Sequence, residues 1–164
     1  MSNKQWYVVY TNPRGEKKAE LRLQEKGIET FLPLQEVVKQ WSDRKKKIQV
    51  PLFNSYLFVH IDLKKEHLSV LQTYGVVRFV RDLGAPAVVR DAEIEAVRYL
   101  LQNYIELSAE SLEPGQQVEV KSGSFQGQQG MIREVRNGYL VLELESIGQR
   151  LRAKMPYDRV KKSA

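Results

Sequence analysis

The chain has 164 residues, with 26 Lys or Arg against 20 Asp or Glu, and a formal net charge of +6. A composition of 42% apolar and 28% charged residues can bury a core, which excludes a disordered tail. Cysteine is absent, which excludes disulfides, thiol catalysis and Cys-ligated zinc or iron–sulfur centres. The longest apolar run, Trp6 to Tyr10, is five residues, far short of the roughly 20 that a membrane helix needs. The N-terminus lacks the basic, apolar and small-residue succession of a signal peptide. A cytoplasmic protein without a membrane segment is the expectation. The charge is uneven: residues 1–104 hold 17 Lys or Arg against 12 Asp or Glu, and residues 105–164 hold 9 against 8. A basic domain suits a polyanion such as nucleic acid, although the same excess also suits a plain solvated surface.

Trp6 to Thr11, aromatic and β-branched, predicts a buried strand. Asn12-Pro13-Arg14-Gly15 breaks it. A helix is expected from Glu16 to Lys26, with Ala19, Leu23 and Leu21 as candidates for its buried stripe and Gly27 placed to end it. A second strand begins over Ile28 to Pro33. Gln35 to Gln40 and Lys47 to Leu52 flank a charged stretch from Trp41 to Lys46, which predicts a long hairpin with a charged tip. Asn54-Ser55 interrupts before a third apolar strand, Tyr56 to Ile61. A short helix over Glu66 to Thr73 and a strand over Val76 to Arg81 follow. Asp91 is a natural N-cap for a helix whose Ile94, Val97, Leu101 and Tyr104 draw one apolar stripe. Strands interleaved with helices predict an α/β (α+β) domain, an antiparallel sheet flanked by helices, over residues 1–104.

The character then shifts. Residues 105–113 are acidic and poor in anchors, and are expected to be a linker. Beyond them Val118 and Val120 alternate with polar residues, and Gly123, Gly127 and Gly130 punctuate a turn-rich stretch. Met131 to Val135 and Tyr139 to Leu144 alternate around Asn137-Gly138, a strong hairpin signal because both turn positions need positive φ. A small all-β barrel is expected over residues 114–164.

No catalytic constellation emerges. His60 and His67 are the only histidines, and without cysteine they make a poor metal set, so no metal is expected. No phosphate-cradling loop with a following Lys-Ser or Lys-Thr appears, and no dinucleotide fingerprint follows a strand. No cofactor is expected, and the protein is not expected to be an enzyme.

The order of the elements carries a resemblance. Trp6 to Thr11, Phe31-Leu32-Pro33, Pro51-Leu52-Phe53 leading into Tyr56-Leu57-Phe58-Val59, and Gly75 to Val80 resemble the N-terminal (NGN) domain of NusG-type transcription elongation factors. Pro114-Gly115, Val118 to Val120, Gly123, Phe125, Gly127, Gly130 and Ile132 resemble the KOW motif of their C-terminal, SH3-like domain. The string from Pro51 to Val59, Gln40 to Lys47 and Ala85 to Val89 look closest to specialised paralogues, the RfaH-like and UpxY-type antiterminators. Asn54-Ser55 stands where the housekeeping factor usually has Pro-Gly.

The resemblance implies binding to the clamp helices of RNA polymerase's largest catalytic subunit through an apolar depression that Tyr10, Phe53, Tyr56, Phe58, Ile94 and Val97 build or border. His67 and Ser69 match a polar motif that touches the opposite side of the polymerase cleft. Arg14, Lys17, Lys18 and Arg22, with Tyr74 as a stacking platform, match the side that faces non-template DNA. Arg44, Lys45, Lys46 and Lys47, expected at an exposed tip, match the side toward upstream duplex DNA. Phe125 and Ile147 fall in the KOW domain, whose implied partner is Rho or a small-subunit ribosomal protein. Alternation and glycine spacing favour a permanent β form there. The expected molecule is a monomeric factor that suppresses pausing and termination on a specific operon. The alternatives are the housekeeping NusG-type factor, a KOW-containing RNA- or ribosome-binding module, and an enzyme whose site goes unrecognised.

Overall fold

The computed structural model describes residues 3–103, 107–111, 132–136 and 139–154. The chain forms two compact units, Met1–Val80 and Arg81–Ala164.

The first unit runs β1 (Gln5–Thr11), α1 (Glu16–Glu25), β2 (Glu29–Phe31), β3 (Leu34–Trp41), β4 (Arg44–Pro51), β5 (Tyr56–Ile61), α2 (Leu63–Leu71) and β6 (Val76–Phe79). Its sheet has the order β2-β5-β1-β6, with every one of these neighbours antiparallel. Strand alternation divides β1 and β5 between two faces. On one face Tyr7, Val9, Leu57, Val59, Ile61 and Phe79 form a core with Ala19 and Leu23 of α1 and Val70 of α2. Leu21, a candidate for the same stripe, is 58% exposed. Residues 19 and 23 are one helical turn apart, whereas 21 lies about 200° around the helix from 19 and so faces water.

Gly27 ends α1 at φ +79, a backbone conformation in which any other L-residue is strained. Helix α2 starts three residues before the expected Glu66 because Asp62 caps it. The Asp62 carboxylate accepts the Lys64 N–H at 3.2 Å, and the Glu66 carboxylate accepts the Asp62 N–H at 3.1 Å. Lys26 ties the two helices together, donating to the Ser69 carbonyl and the Thr73 hydroxyl, both at 2.9 Å.

Strands β3 and β4 make a separate two-stranded ribbon. Their register pairs Trp41 with Arg44, leaving only Ser42 and Asp43 in the turn. The four cations Arg44 to Lys47, expected at the tip, therefore lie in strand β4 itself.

The second unit holds β7 (Arg81–Asp82), β8 (Ala85–Pro86), β9 (Val88–Val89), α3 (Asp91–Asn103), β10 (Leu107–Ser111), β11 (Ile132–Arg136), β12 (Tyr139–Leu144), a 3-10 turn (Glu145–Ile147) and β13 (Gln149–Lys154). Asp91 is the first residue of α3 rather than its cap. Glu93 closes that first turn, its carboxylate accepting the Arg90 N–H at 3.0 Å and the Arg90 Nε at 3.2 Å. The buried stripe is Ile94, Val97 and Leu100, joined by Ala96, with Leu101 half-buried. Tyr104 lies outside the described residues.

The described part of the second sheet has the order β10-β13-β12-β11. The hairpin expected around Asn137-Gly138 is present in its strands, since β11 pairs antiparallel with β12. Strand β10 corrects the expected linker: Leu107 to Ser111 pair residue for residue with Ala153 to Gln149. Glu143 is buried in this sheet and is paired by Arg150, whose Nε and Nη2 reach its carboxylate at 3.2 and 3.0 Å. The expected barrel also draws on Val118, Val120, Gly123, Gly127 and Gly130, which lie outside the described residues.

Candidate protein and nucleic-acid interfaces

The second face of the first sheet is aromatic. Cross-strand register sets Trp6 opposite His60, Val8 opposite Phe58 and Tyr10 opposite Tyr56. Ring contacts then run along it without a break. Trp6 stacks on His60 at 4.8 Å and meets Phe31 edge-on at 6.4 Å. Phe31 touches Phe58 at 5.7 Å, and Phe58 touches Phe53 at 5.7 Å. Phe53 stacks on Tyr56 at 6.3 Å, and Tyr56 meets Tyr10 edge-on at 5.2 Å. Such pairs contribute about 0.5–1.5 kcal/mol each beyond their burial. Arg78 closes the row, its guanidinium 4.8 Å from the Tyr10 ring.

The row brings together four of the residues expected to meet a protein partner, but not equally. Phe53 and Phe58 are buried, while Tyr10 and Tyr56 are half-buried. The tyrosines are the outer members and the phenylalanines their support. Ile94 and Val97 are buried in the second unit. His67 is exposed on α2, and Ser69 is half-buried with its carbonyl held by Lys26. Ile147 is buried in its 3-10 turn, and Phe125 lies outside the described residues.

The expected nucleic-acid residues form two settings. Arg22 and Tyr74 make one: Arg22 donates to the Tyr74 carbonyl at 3.1 Å and lays its guanidinium 4.7 Å from the ring, leaving Tyr74 75% exposed. Arg14 and Lys17 make the other. They line a cleft of about 520 Å³ with Glu16, Lys39, Val50, Pro51 and Asn54. Lys17 donates to the Gln49 carbonyl at 2.8 Å, tying α1 to the foot of the ribbon. Lys18 is exposed on α1.

The ribbon's register sorts its cations. Pairs Lys39–Lys46 and Trp41–Arg44 share one face with Val37–Ile48 and Gln35–Val50. Pairs Val38–Lys47 and Gln40–Lys45 share the other with Glu36–Gln49, where Lys47 approaches Glu36 at 3.8 Å. The run of four is thus two pairs on opposite faces. Lys46 sits 5.0 Å from the Trp41 ring, which is 43% exposed. Lys39, Trp41 and Arg78 were not among the residues expected to bind. Alternation counted back from Arg44 through the turn identifies the first two. Arg78 depends on the pairing of β6 with β1, which no local pattern reveals.

Among the described residues no group of His, Asp and Glu is placed to hold a metal ion, and no helix is long and apolar enough to cross a membrane.

Comparison with known proteins resolves the family. The model of the NusG family, described as transcription termination factor nusG, matches residues 4–98, more than half of the chain. The chain belongs to the NusG family. It is 28% identical to the transcription termination/antitermination protein NusG of Staphylococcus aureus strains Mu50 and N315 over 176 aligned positions, covering 97% of this chain and 96% of each relative. Among solved structures it is similar to that described as "Domain interaction in Thermotoga maritima NusG", with a TM-score of 0.51, 21% identity and 93% of both chains covered. That likeness concerns the fold. The matched residues 4–98 hold the antiparallel sheet of the first unit with α1 and α2, and most of α3 in the second.

Proposed function

We propose that this NusG-family chain is a non-catalytic elongation and antitermination factor that rides on RNA polymerase, gripping the clamp helices of the largest catalytic subunit. The observation that carries this is the row ending in Tyr10 and Tyr56. Two half-buried rings stand on a rigid, buried phenylalanine base, with Arg78 at the edge. Such a surface suits an amphipathic helix pair, since rigid aromatics bury area at little entropic cost. Arg14, Lys17, Lys18, Arg22 and Tyr74 then face non-template DNA, and the ribbon faces upstream DNA. His67 and Ser69 reach the opposite side of the cleft, which would bias the enzyme toward its elongating state. The specialised role on one operon is supported by Asn54-Ser55 in place of Pro-Gly and by the Gln40 to Lys47 segment. The C-terminal KOW domain is assigned to Rho or a ribosomal protein.

Tyr10→Ala with Tyr56→Ala in the full-length protein tests the polymerase contact. Expected is a folded protein that no longer co-purifies with polymerase from cells. Retained co-purification excludes this surface. Phe53→Ala is a poor test, because truncating a buried aromatic costs about 3–5 kcal/mol and confounds binding with folding.

A further inference from the structure

We infer that the Trp41 face of the ribbon and the Arg14–Lys17 cleft are one continuous track for a single strand of DNA, with Trp41 as its base-stacking platform. This rests on the DNA contact proposed above, specifies its face and extent, and gives the Trp41 face of the ribbon a single strand in place of upstream duplex.

Continuity comes from Lys39. It lines the cleft with Arg14 and Lys17, and it stands on the ribbon face that carries Lys46, Trp41 and Arg44. At the foot of the ribbon the cleft is lined by Val50 of the same face and by Gln49 and Pro51 of the other. Five cations thus follow one path from α1 to the ribbon turn. That ribbon face holds no carboxylate. The one acid in the cleft, Glu16, is buried and accepts the Ser55 N–H at 2.8 Å. The opposite ribbon face differs, since its Lys47 already faces Glu36. Charge complementarity therefore selects a polyanion, and selects one face for it.

Strandedness comes from the ring. Trp41 is half-exposed near the end of the ribbon, with the Lys46 ammonium held close to its ring. An indole flanked by cations offers stacking to a base whose faces are free, together with phosphate contacts on either side. In a duplex those base faces are occupied by neighbouring pairs.

The test uses the full-length protein and fluorescein-labelled 12-mers: a DNA strand, its duplex and the RNA strand of the same sequence. Anisotropy is read across a salt series. Expected is tighter binding to the DNA strand than to its duplex. Trp41→Ala should weaken strand binding roughly tenfold while leaving the salt slope intact, and Trp41→Phe should restore most of it. Lys39→Gln with Lys46→Gln should flatten the slope of log affinity against log salt by about 1.4, at roughly 0.7 per phosphate released. Lys64→Gln with Lys65→Gln, two exposed cations of α2 away from the track, should change affinity less than about threefold. Equal losses from the two double variants overturn the track while leaving DNA binding intact. A preference for duplex, or no effect of Trp41→Ala, overturns the stacking strand. A preference for RNA overturns the choice of DNA. Failure to bind any oligonucleotide overturns both this inference and the DNA contact beneath it. None of these outcomes depends on polymerase. Circular dichroism on each variant separates loss of binding from loss of fold.

Discussion

The buried carboxylate of Glu16 accepts the backbone N–H of Ser55 at 2.8 Å, joining the first turn of α1 to the loop between Phe53 and Tyr56. The loop is held from its other side by Thr11, whose N–H donates to the Ser55 carbonyl at 2.9 Å. Two segments 39 residues apart in sequence are fixed by one charge-assisted bond, and the aromatic row depends on where that loop sits. Glu16→Ala should cost about 1–3 kcal/mol, the penalty for orphaning a partly buried donor. Glu16→Gln keeps an acceptor oxygen and should cost less than about 1 kcal/mol. Urea unfolding of the three proteins checks the order, and equal stability of all three would show that the bond contributes nothing.

Ser55 itself is strained. Its φ is +62, in the left-handed region where a side chain with Cβ is disfavoured. Ser55→Gly relaxes that conformation but adds freedom to the unfolded chain, so a net gain of about 0.5 kcal/mol is expected. A rise in the urea midpoint without a change in slope is the supporting result. A fall would mean that the serine side chain contributes more than its backbone loses.

Leu21 and Leu23 separate surface from core on one helix. Leu23→Ala empties a fully buried site and should cost about 2–5 kcal/mol. Leu21→Lys replaces an exposed leucine and should stay within roughly 0.5 kcal/mol of the parent. Comparable losses from both would place Leu21 in the core after all.

Alkaline stability reports on Tyr7. Burial first, then the negative charge of Asp62, hold its hydroxyl above the usual tyrosine value. The hydroxyl donates to the Gln5 Oε1 at 3.0 Å. A proton held more tightly in the folded chain gives stability that is complete below the unfolded value of about 10 and is lost as pH rises through the folded value. Tyr7→Phe cannot ionise, so its stability should fall less steeply above about pH 10. Thermal melts of both proteins from neutral to strongly alkaline pH make the comparison. Parallel decline in the two would assign the alkaline loss to other groups.

Much of this fold is legible in the sequence where one side of an element is strongly apolar. Trp6 to Thr11 and Tyr56 to Ile61 announce buried strands, and Gly27 marks the end of a helix that the backbone does end there. Legibility fails where backbone bonding, rather than side-chain burial, makes the element. Leu107 to Ser111 is mostly polar and small, yet it pairs fully with β13, because ladder bonds do not need an apolar side chain. The cations of β4 look like a loop tip for the same reason. At the candidate sites, Tyr10 and Tyr56 are predictable as partners across one ladder once both strands are recognised. The joining of Arg14 and Lys17 to Lys39 is not, since it depends on how the ribbon foot docks on α1, through the Lys17 to Gln49 bond.

That bond has a further consequence. Among the described residues the ribbon is anchored near its base, where Lys17 reaches Gln49 and the Leu52 N–H reaches the Pro33 carbonyl at 2.8 Å. Its eight-residue strands carry the turn about 25 Å outward at roughly 3.4 Å per residue. The outer half, from Val38 to Lys47, contains no buried side chain. Substitutions there alter what the protein touches without touching what keeps it folded. Affinity and stability are therefore written in separate parts of the first unit, and evolution can retune one while leaving the other alone.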